Sequence, residues 1–257
     1  MTGDALEEIL RLAGRLTPSI GPVHVHDRVA STQDEAARLA ADGAVEGTVV
    51  AARAQSSGRG RRGRDWFSPR DRGFYASVVL RPPAAPARWP AVSVIAGLGL
   101  AGGLTASGVR DVRLKWPNDC LVGGRKMAGV LAEAFPDLGF VVLGIGLNLS
   151  LSGDDAPPEL AETATDIATH LPKGKDILTV CALGFGGMFA AYDKSKPGLE
   201  VDQDSAARFL WTRGNVRVGD VSGMVSGIDR SGALVLECRD GSTKKVRAGE
   251  VTDAGSD

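Results

Sequence analysis

Apolar positions along this chain follow two periods, and the points where one gives way to the other mark its elements. Asp4–Leu16 carries apolar residues at helical spacing and predicts a short amphipathic helix, which Pro18, Gly21 and Pro22 bring to an end. Val23–Val29 then alternates like a strand. Ser31-Thr32-Gln33-Asp34-Glu35 opens a helix to about Asp42, with Thr32 and Glu35 spaced as a capping box and Gly43 as the stop. Strands are predicted at Thr48–Ala52 and Phe74–Leu80, the second closed by Pro82-Pro83. Pro90 opens an apolar helix over Ala91–Ala106, whose glycines Gly97, Gly99, Gly102 and Gly103 point to close packing on a sheet.

Arg113–Trp116 reads as a short strand, followed by a turn at Pro117-Asn118-Asp119. Leu121-Val122, Gly123-Gly124 and Lys126–Phe135 form a hairpin pattern, and Gly139–Leu149 is a further apolar strand. A short helix is expected around Thr163–His170, a longer one capped by Asp176 and running to about Tyr192, and another over Asp204–Trp211. After Arg213 the texture changes to short, closely spaced strands at Asn215–Val218, Gly223–Ile228, Ala233–Glu237 and Thr243–Val246. The reading is an α+β chain. A mixed sheet flanked by helices occupies 1–211, with 1–22 as an N-terminal extension, and a small β-barrel occupies 212–257.

Composition narrows the function. The formal charge is −1 over 257 residues, so the chain as a whole is no polyanion binder. Cys120, Cys181 and Cys238 are odd in number and far apart, which argues against a disulfide framework and fits a reducing, cytoplasmic setting. His24, His26 and His170 lack a convincing set of metal partners, and the first two read as a surface pair. The charged start does not read as a signal peptide, and no apolar run approaches the ~20 residues that span a membrane. Too little chain precedes the first strand for a helix-turn-helix unit.

One stretch departs from this ordinary background. Gly58–Arg64 packs three glycines and four arginines into seven residues, just after a strand. Glycine lets backbone approach a ligand, and guanidinium groups match carboxylate and phosphate oxygens, so the loop is a plausible mobile anion clamp. A plain basic surface loop is the bland alternative. The hydroxyls of Ser31 and Thr32 at a helix N-terminus suit a small polar ligand, although capping alone would explain them.

Several blocks together resemble the biotin–protein ligases. They are Ser31-Thr32, the run from Gln55 through Gly58–Arg64 to Asp65-Trp66, Lys115-Trp116-Pro117-Asn118-Asp119, the run from Gly124 to Glu133, and Gly144-Ile145-Gly146-Leu147-Asn148. Their order and approximate spacing match the family over about residues 23–251. Gln33, Ser57 and Thr165-Asp166-Ile167 are mild departures. The resemblance implies a class II synthetase-like catalytic domain with a small Src-homology-like barrel, of the type without a DNA-binding domain. It implies an enzyme that uses ATP and Mg²⁺ to make biotinyl-adenylate and passes biotin to a lysine of a biotin carboxyl carrier protein domain. No DNA or membrane partner is expected, and the chain is expected to be a monomer or weak homodimer.

On that resemblance Lys126, Arg61 and Asp119 are the catalytic candidates. Ser31, Thr32, Gln33, Gln55, Arg59, Gly60, Arg61, Lys126, Gly129 and Leu131 would hold biotin. Arg59, Arg61, Arg62, Arg64, Trp66, Asn118, Lys126 and Asn148 would hold ATP or the adenylate, with Asp119 the candidate for Mg²⁺ or for the acceptor lysine's proton. The chemistry needs no covalent nucleophile from the enzyme. A carboxylate must be brought in line with a phosphate that repels it, so gathered positive charge is what the site must supply. The rivals are a lipoate ligase or octanoyltransferase, and a nucleic-acid module built on the arginine loop.

Overall fold

The computed structural model describes residues 3–17, 19–151, 157–212 and 214–253. Pro18, expected to help end the first helix, and Arg213, the predicted start of the strand-rich tail, lie outside the described residues. The helices are α1 (Gly3–Leu16), α2 (Thr32–Ala41), α3 (Ala91–Ala106), α4 (Pro158–Thr163), α5 (Ile177–Ser195) and α6 (Gln203–Phe209). Strands β1 (Val23–His26), β2 (Val49–Ala52), β3 (Gly73–Leu80), β4 (Val112–Lys115), β5 (Asp119–Val122), β6 (Arg125–Phe135) and β7 (Phe140–Asn148) make one sheet. Its order is β1-β2-β3-β7-β6-β5-β4. Only the β1–β2 pair is parallel, because the helix α2 carries the chain back between them.

The period of two along β7 assigns the sheet's two faces. Leu143, Ile145 and Leu147 point into the main core, where Phe74, Ala76 and Val78 of β3 join them under α3 and α5. Phe140 and Val142 point the other way and pack with Ala36 and Ala40 of α2. Further along this second face the side chains shrink to Gly144 and Gly146. Across the strands Gly144 pairs with Ser77 and Leu131, and Gly146 with Tyr75 and Gly129. Helix α2 covers one half of the face, and the glycines leave the other half open.

The glycines of α3 were expected to pack on a sheet, but Gly99 and Gly103 instead bring α3 against the backbone of helix α5. A Cβ on Gly103 would lie 2.0 Å from the Leu183 carbonyl oxygen. The second sheet contains β8 (Asn215–Val218), β9 (Val221–Ile228), β10 (Leu234–Glu237), β11 (Thr243–Val246) and β12 (Thr252–Asp253), all antiparallel, in the order β11-β10-β9-β8-β12. It docks on the β4–β5 turn. The Trp116 indole N–H donates to the Gly232 carbonyl at 2.9 Å, and the Trp211 N–H to that of Leu114 at 2.9 Å.

Two local expectations need correcting. Ser31, not Thr32, is the N-cap of α2; its Oγ accepts from the Gln33 N–H, and Glu35 pairs with Arg38 instead of closing a capping box. The expected helix over Thr163–His170 is split. Helix α4 ends at Thr163, a single 3-10 turn covers Ala168–His170, and the chain between lies extended beside β6. There the Thr165 N–H donates to Lys126 O at 2.9 Å, and the Asn148 side chain holds Thr165 O at 3.0 Å. These tertiary bonds outweigh local helix propensity.

Candidate active site

The open half of the sheet is the floor of a cleft of about 270 Å³. Every candidate named from the sequence, from Ser31 to Asn148, lines it. The cleft has two chemically different ends.

At one end the polar groups are uncharged and buried. The N-cap places Ser31 and Thr32 at the mouth of α2, where the first helical N–H groups lack partners within the helix. The Thr32 N–H is taken by Gln55 Oε1 at 2.8 Å. Gln55 is held from its other side, where Nε2 donates to Ser68 Oγ at 2.9 Å, and Ser68 in turn donates to the Trp66 carbonyl at 2.8 Å. Gln33 Nε2 donates to Val142 O at 3.0 Å, and its Oε1 accepts from Ser77 Oγ at 3.1 Å. A Cβ at Gly144 would come within 2.5 Å of that Oε1, which explains the glycine.

At the other end the groups are charged and partly exposed. Gly58–Arg64 forms a small hairpin: Gly60 N–H to Arg64 O at 2.7 Å, Trp66 N–H to Gly58 O at 2.8 Å, and a 3-10 turn over Arg61–Gly63. At the turn Arg62 sits at φ 59°, in the left-handed region. The arginines do not face one another unscreened. Arg59 pairs with Asp34 and with Glu133 (3.2 Å), while Arg64 and Arg62 (3.7 Å) pair with Glu250 from the loop between β11 and β12. The loop is folded as a hairpin whose outer arginines are paired with carboxylates. Glu250 is held below the usual carboxylate range, chiefly by its hydrogen bond from Arg64.

Arg61 points inward. It donates to Asn118 Oδ1 at 3.0 Å and to Gly249 O at 3.3 Å, so it ties the loop both to the β4–β5 turn and to the second sheet. Burial pulls its pKa down, yet a guanidinium so placed remains charged. Asn118 is braced from behind by donating to Val130 O at 3.0 Å. Lys126 Nζ lies 2.8 Å from Asp119 Oδ1 and 5.1 Å from the centre of the Trp66 ring. Trp66 covers the paired glycines of the floor: a Cβ on Gly146 would meet its ring at 2.2 Å, and one on Gly129 at 2.9 Å. The Trp66 Nε1–H is buried and has no partner among the described residues. Asn148 is committed to the carbonyls of Lys126 and Thr165.

Sequence reasoning missed Ser68, Ser77 and Glu250. A single serine inside an apolar strand gives no signal, and Glu250 comes from the far end of the chain. The spacing of Ser77 from the glycines of β7 becomes informative only once the strands are paired.

Asp119 is a single carboxylate already paired with Lys126. Among the described residues there is no group of three or more His, Cys, Asp or Glu that could hold a metal ion. Nor is any described helix long and apolar enough to cross a membrane. Cys120, next to Asp119, is fully buried, and burial pushes its thiol up to about 12, so it stays protonated near neutral pH.

A neutral, hydrogen-bonding pocket joined to an arginine and lysine clamp over a glycine floor defines a ligase that activates a small carboxylic acid. Residues 25–148 match the biotin/lipoate A/B protein ligase family and residues 215–252 the biotin protein ligase C-terminal domain, and the chain belongs to that family. It is 32% identical over 225 residues to the biotin--[acetyl-CoA-carboxylase] ligase of Mycobacterium tuberculosis, covering 85% of this chain and 83% of that one. It is 31% identical over 235 residues to the bifunctional ligase/repressor BirA of Bacillus subtilis, covering 88% and 72%. Among solved structures it is similar to the biotin protein ligase from Aquifex aeolicus in complex with biotin and ATP, with TM-score 0.73 and 26% identity over 90% of this chain and 97% of that one.

Proposed function

We propose that this protein activates biotin with ATP and transfers it to a lysine of a biotin carboxyl carrier protein domain of a biotin-dependent carboxylase. The observation that carries the reading is the pairing of a neutral hydrogen-bonding pocket with a cationic clamp in one cleft. In the first step a biotin carboxylate oxygen attacks the α-phosphate and pyrophosphate leaves. Lys126 would bridge the two anions, and Arg59 and Arg61 would offset charge on the phosphates. Arg62 and Arg64 reach the phosphates from the rim once Glu250 yields them. Ser31, Thr32, Gln33 and Gln55 would hold the ureido head, Gly60 would let the loop backbone approach biotin, and Gly129 and Leu131 would wall the ring and chain. Trp66 faces the adenine, with Asn118 and Asn148 shaping its surroundings. In the second step the carrier lysine's amine attacks the acyl carbon and AMP leaves, with Asp119 placed to take the amine's proton.

Mg²⁺ would enter with the nucleotide, and Asp119 is the carboxylate that would meet it. Residues 1–211 would form the catalytic domain and 212–257 an accessory barrel. The protein would work in the cytoplasm as a monomer or weak homodimer, without a DNA partner. Octanoyl transfer through a thiol is disfavoured because Cys120 is buried and protonated. The test is biotin-dependent exchange of labelled pyrophosphate into ATP, followed by transfer to a carrier domain scored by mass. No exchange in folded protein supplied with Mg²⁺ would sink the reading.

A further inference from the structure

We infer that Ser77, which need not touch the ligand, fixes the direction of the Thr32 hydroxyl so that the pocket demands a hydrogen-bond donor from the ligand at that point. The inference rests on the reading of this cleft as a biotin site. It comes from counting protons. Three oxygen–oxygen contacts run in a row: Thr32 Oγ1 to Gln55 Oε1 (3.1 Å), Thr32 Oγ1 to Ser77 Oγ (2.9 Å), and Ser77 Oγ to Gln33 Oε1 (3.1 Å). The two hydroxyls bring two protons to these three contacts, and the amide oxygens bring none.

Both amides are oriented by backbone. Gln33 must turn Nε2 to the Val142 carbonyl, so its Oε1 faces Ser77. Gln55 must turn Oε1 to the Thr32 N–H, so it too presents an acceptor to the row. Gln33 Oε1 is buried and its one donor is Ser77, whereas Gln55 Oε1 is already satisfied by the Thr32 N–H. The lowest-cost arrangement therefore sends the Ser77 proton to Gln33 and the Thr32 proton to Ser77. Thr32 Oγ1 is left as an acceptor lying 3.1 Å from another acceptor, Gln55 Oε1. A ligand N–H directed there relieves the mismatch, and a ligand oxygen aggravates it.

Ser31 next door has the opposite character. Its Oγ accepts from the Gln33 N–H, and its own proton has no acceptor among the described residues. Adjacent donor and acceptor hydroxyls are complementary to the C=O and N–H edge of a cyclic urea. Ser77 thus acts as a positioning residue that sets which ligand heads are accepted.

The test compares biotin with its two cyclic-carbamate analogues, each with one ring N–H replaced by oxygen, by calorimetry on the intact protein. In the wild type, the analogue whose oxygen meets Thr32 should bind roughly tenfold or more weakly than biotin. Ser77→Ala frees the Thr32 proton to turn, so that ratio should narrow to within about threefold while biotin itself binds more weakly. Ser77→Thr, which keeps the hydroxyl, should restore the ratio. Thermal midpoints establish that each variant is folded, and the alanine variant adds no bulk. If Ser77→Ala weakens biotin and both analogues in parallel, Ser77 only packs, and the inference is overturned while the biotin reading stands. If the wild type does not bind biotin, the reading of the cleft falls and takes the inference with it.

Discussion

The two ends of the cleft are built on opposite terms. Around Thr32, Gln33 and Ser77 the side chains are buried to within a few per cent, tied to one another and, through Gln33, to the backbone of β7. Around Arg59, Arg62 and Arg64 the side chains are exposed, and what holds them is other charged side chains. Buried networks in a low dielectric are costly to disturb, and exposed ion pairs contribute little and exchange readily. Recognition therefore sits where the fold is stiff, and charge handling sits where partners can be traded.

The largest effect expected from this contrast comes from Lys126, a cation outside both sets. Lys126→Ala removes the group placed between the two anions and should slow single-turnover adenylation by about a hundredfold. Rapid-quench analysis checks this, and a wild-type rate would remove Lys126 from the chemistry. Next comes the stiff end. Gly144→Ala places a methyl 2.5 Å from Gln33 Oε1, so it must break the relay or displace β7. We expect biotin affinity to fall by roughly ten- to hundredfold with ATP affinity little changed, as read by calorimetry. An equal loss for both ligands would erase the distinction between the ends.

Arg61→Gly should matter less for making the adenylate than for keeping it. Arg59 and Lys126 remain to meet the phosphate, but the ties to Asn118 and Gly249 are gone. Release of adenylate should rise about tenfold, measured as the free-to-bound ratio after one turnover. Glu250→Gln should change the KM for ATP by only about two- to threefold, an effect that fades with salt. In the wild type acidification does the same. The Glu250 carboxyl is depressed by Arg64, so the pair is intact above the ordinary Glu value of ~4.3 and is lost as pH falls through the depressed one.

A last effect bears on stability instead of the reaction, at alkaline pH. Buried Cys120 keeps its proton in the fold up to about 12, while an unfolded thiol loses it near ~8.5. Stability should be flat in this group below that lower value and decline between the two. Iodoacetamide should label half-exposed Cys238 first and reach Cys120 and Cys181 only on unfolding.

Much of this was legible in the chain. The arginine loop, the Lys115–Asp119 block and the glycine-bearing strands were each visible as motifs, because a loop or turn announces itself locally through glycine, proline and charge. Helix α3 was legible to its ends because its apolar run is bounded by Pro90 and Ser107. What could not be read was whatever depends on two strands meeting. Ser77 lies 44 residues from Gln33, and inside Phe74–Leu80 it looks like one polar slip in a buried strand. The cap register of α2 failed for a related reason. Ser31 and Thr32 both make acceptable caps, and the choice is made by Gln55, which claims the Thr32 N–H from another strand's end. Ala164 and Thr165 looked helical locally and were drawn out of the helix by Lys126 and Asn148.

The carboxylates that staple the arginine loop bear on how the cycle finishes. On the proposed function, Glu250, Asp34 and Glu133 would hold the places that nucleotide phosphates take, so Arg59, Arg62 and Arg64 each keep an anionic companion at hand. Departure of pyrophosphate or AMP is then an exchange of one anion for another tethered one, not a bare dissociation from naked cations. The tethered anion cannot diffuse away, so its local concentration is independent of the surroundings, and product leaves at a rate that free anions in solution do not set. A clamp built this way gives up some grip on its substrate and gains a fast reset.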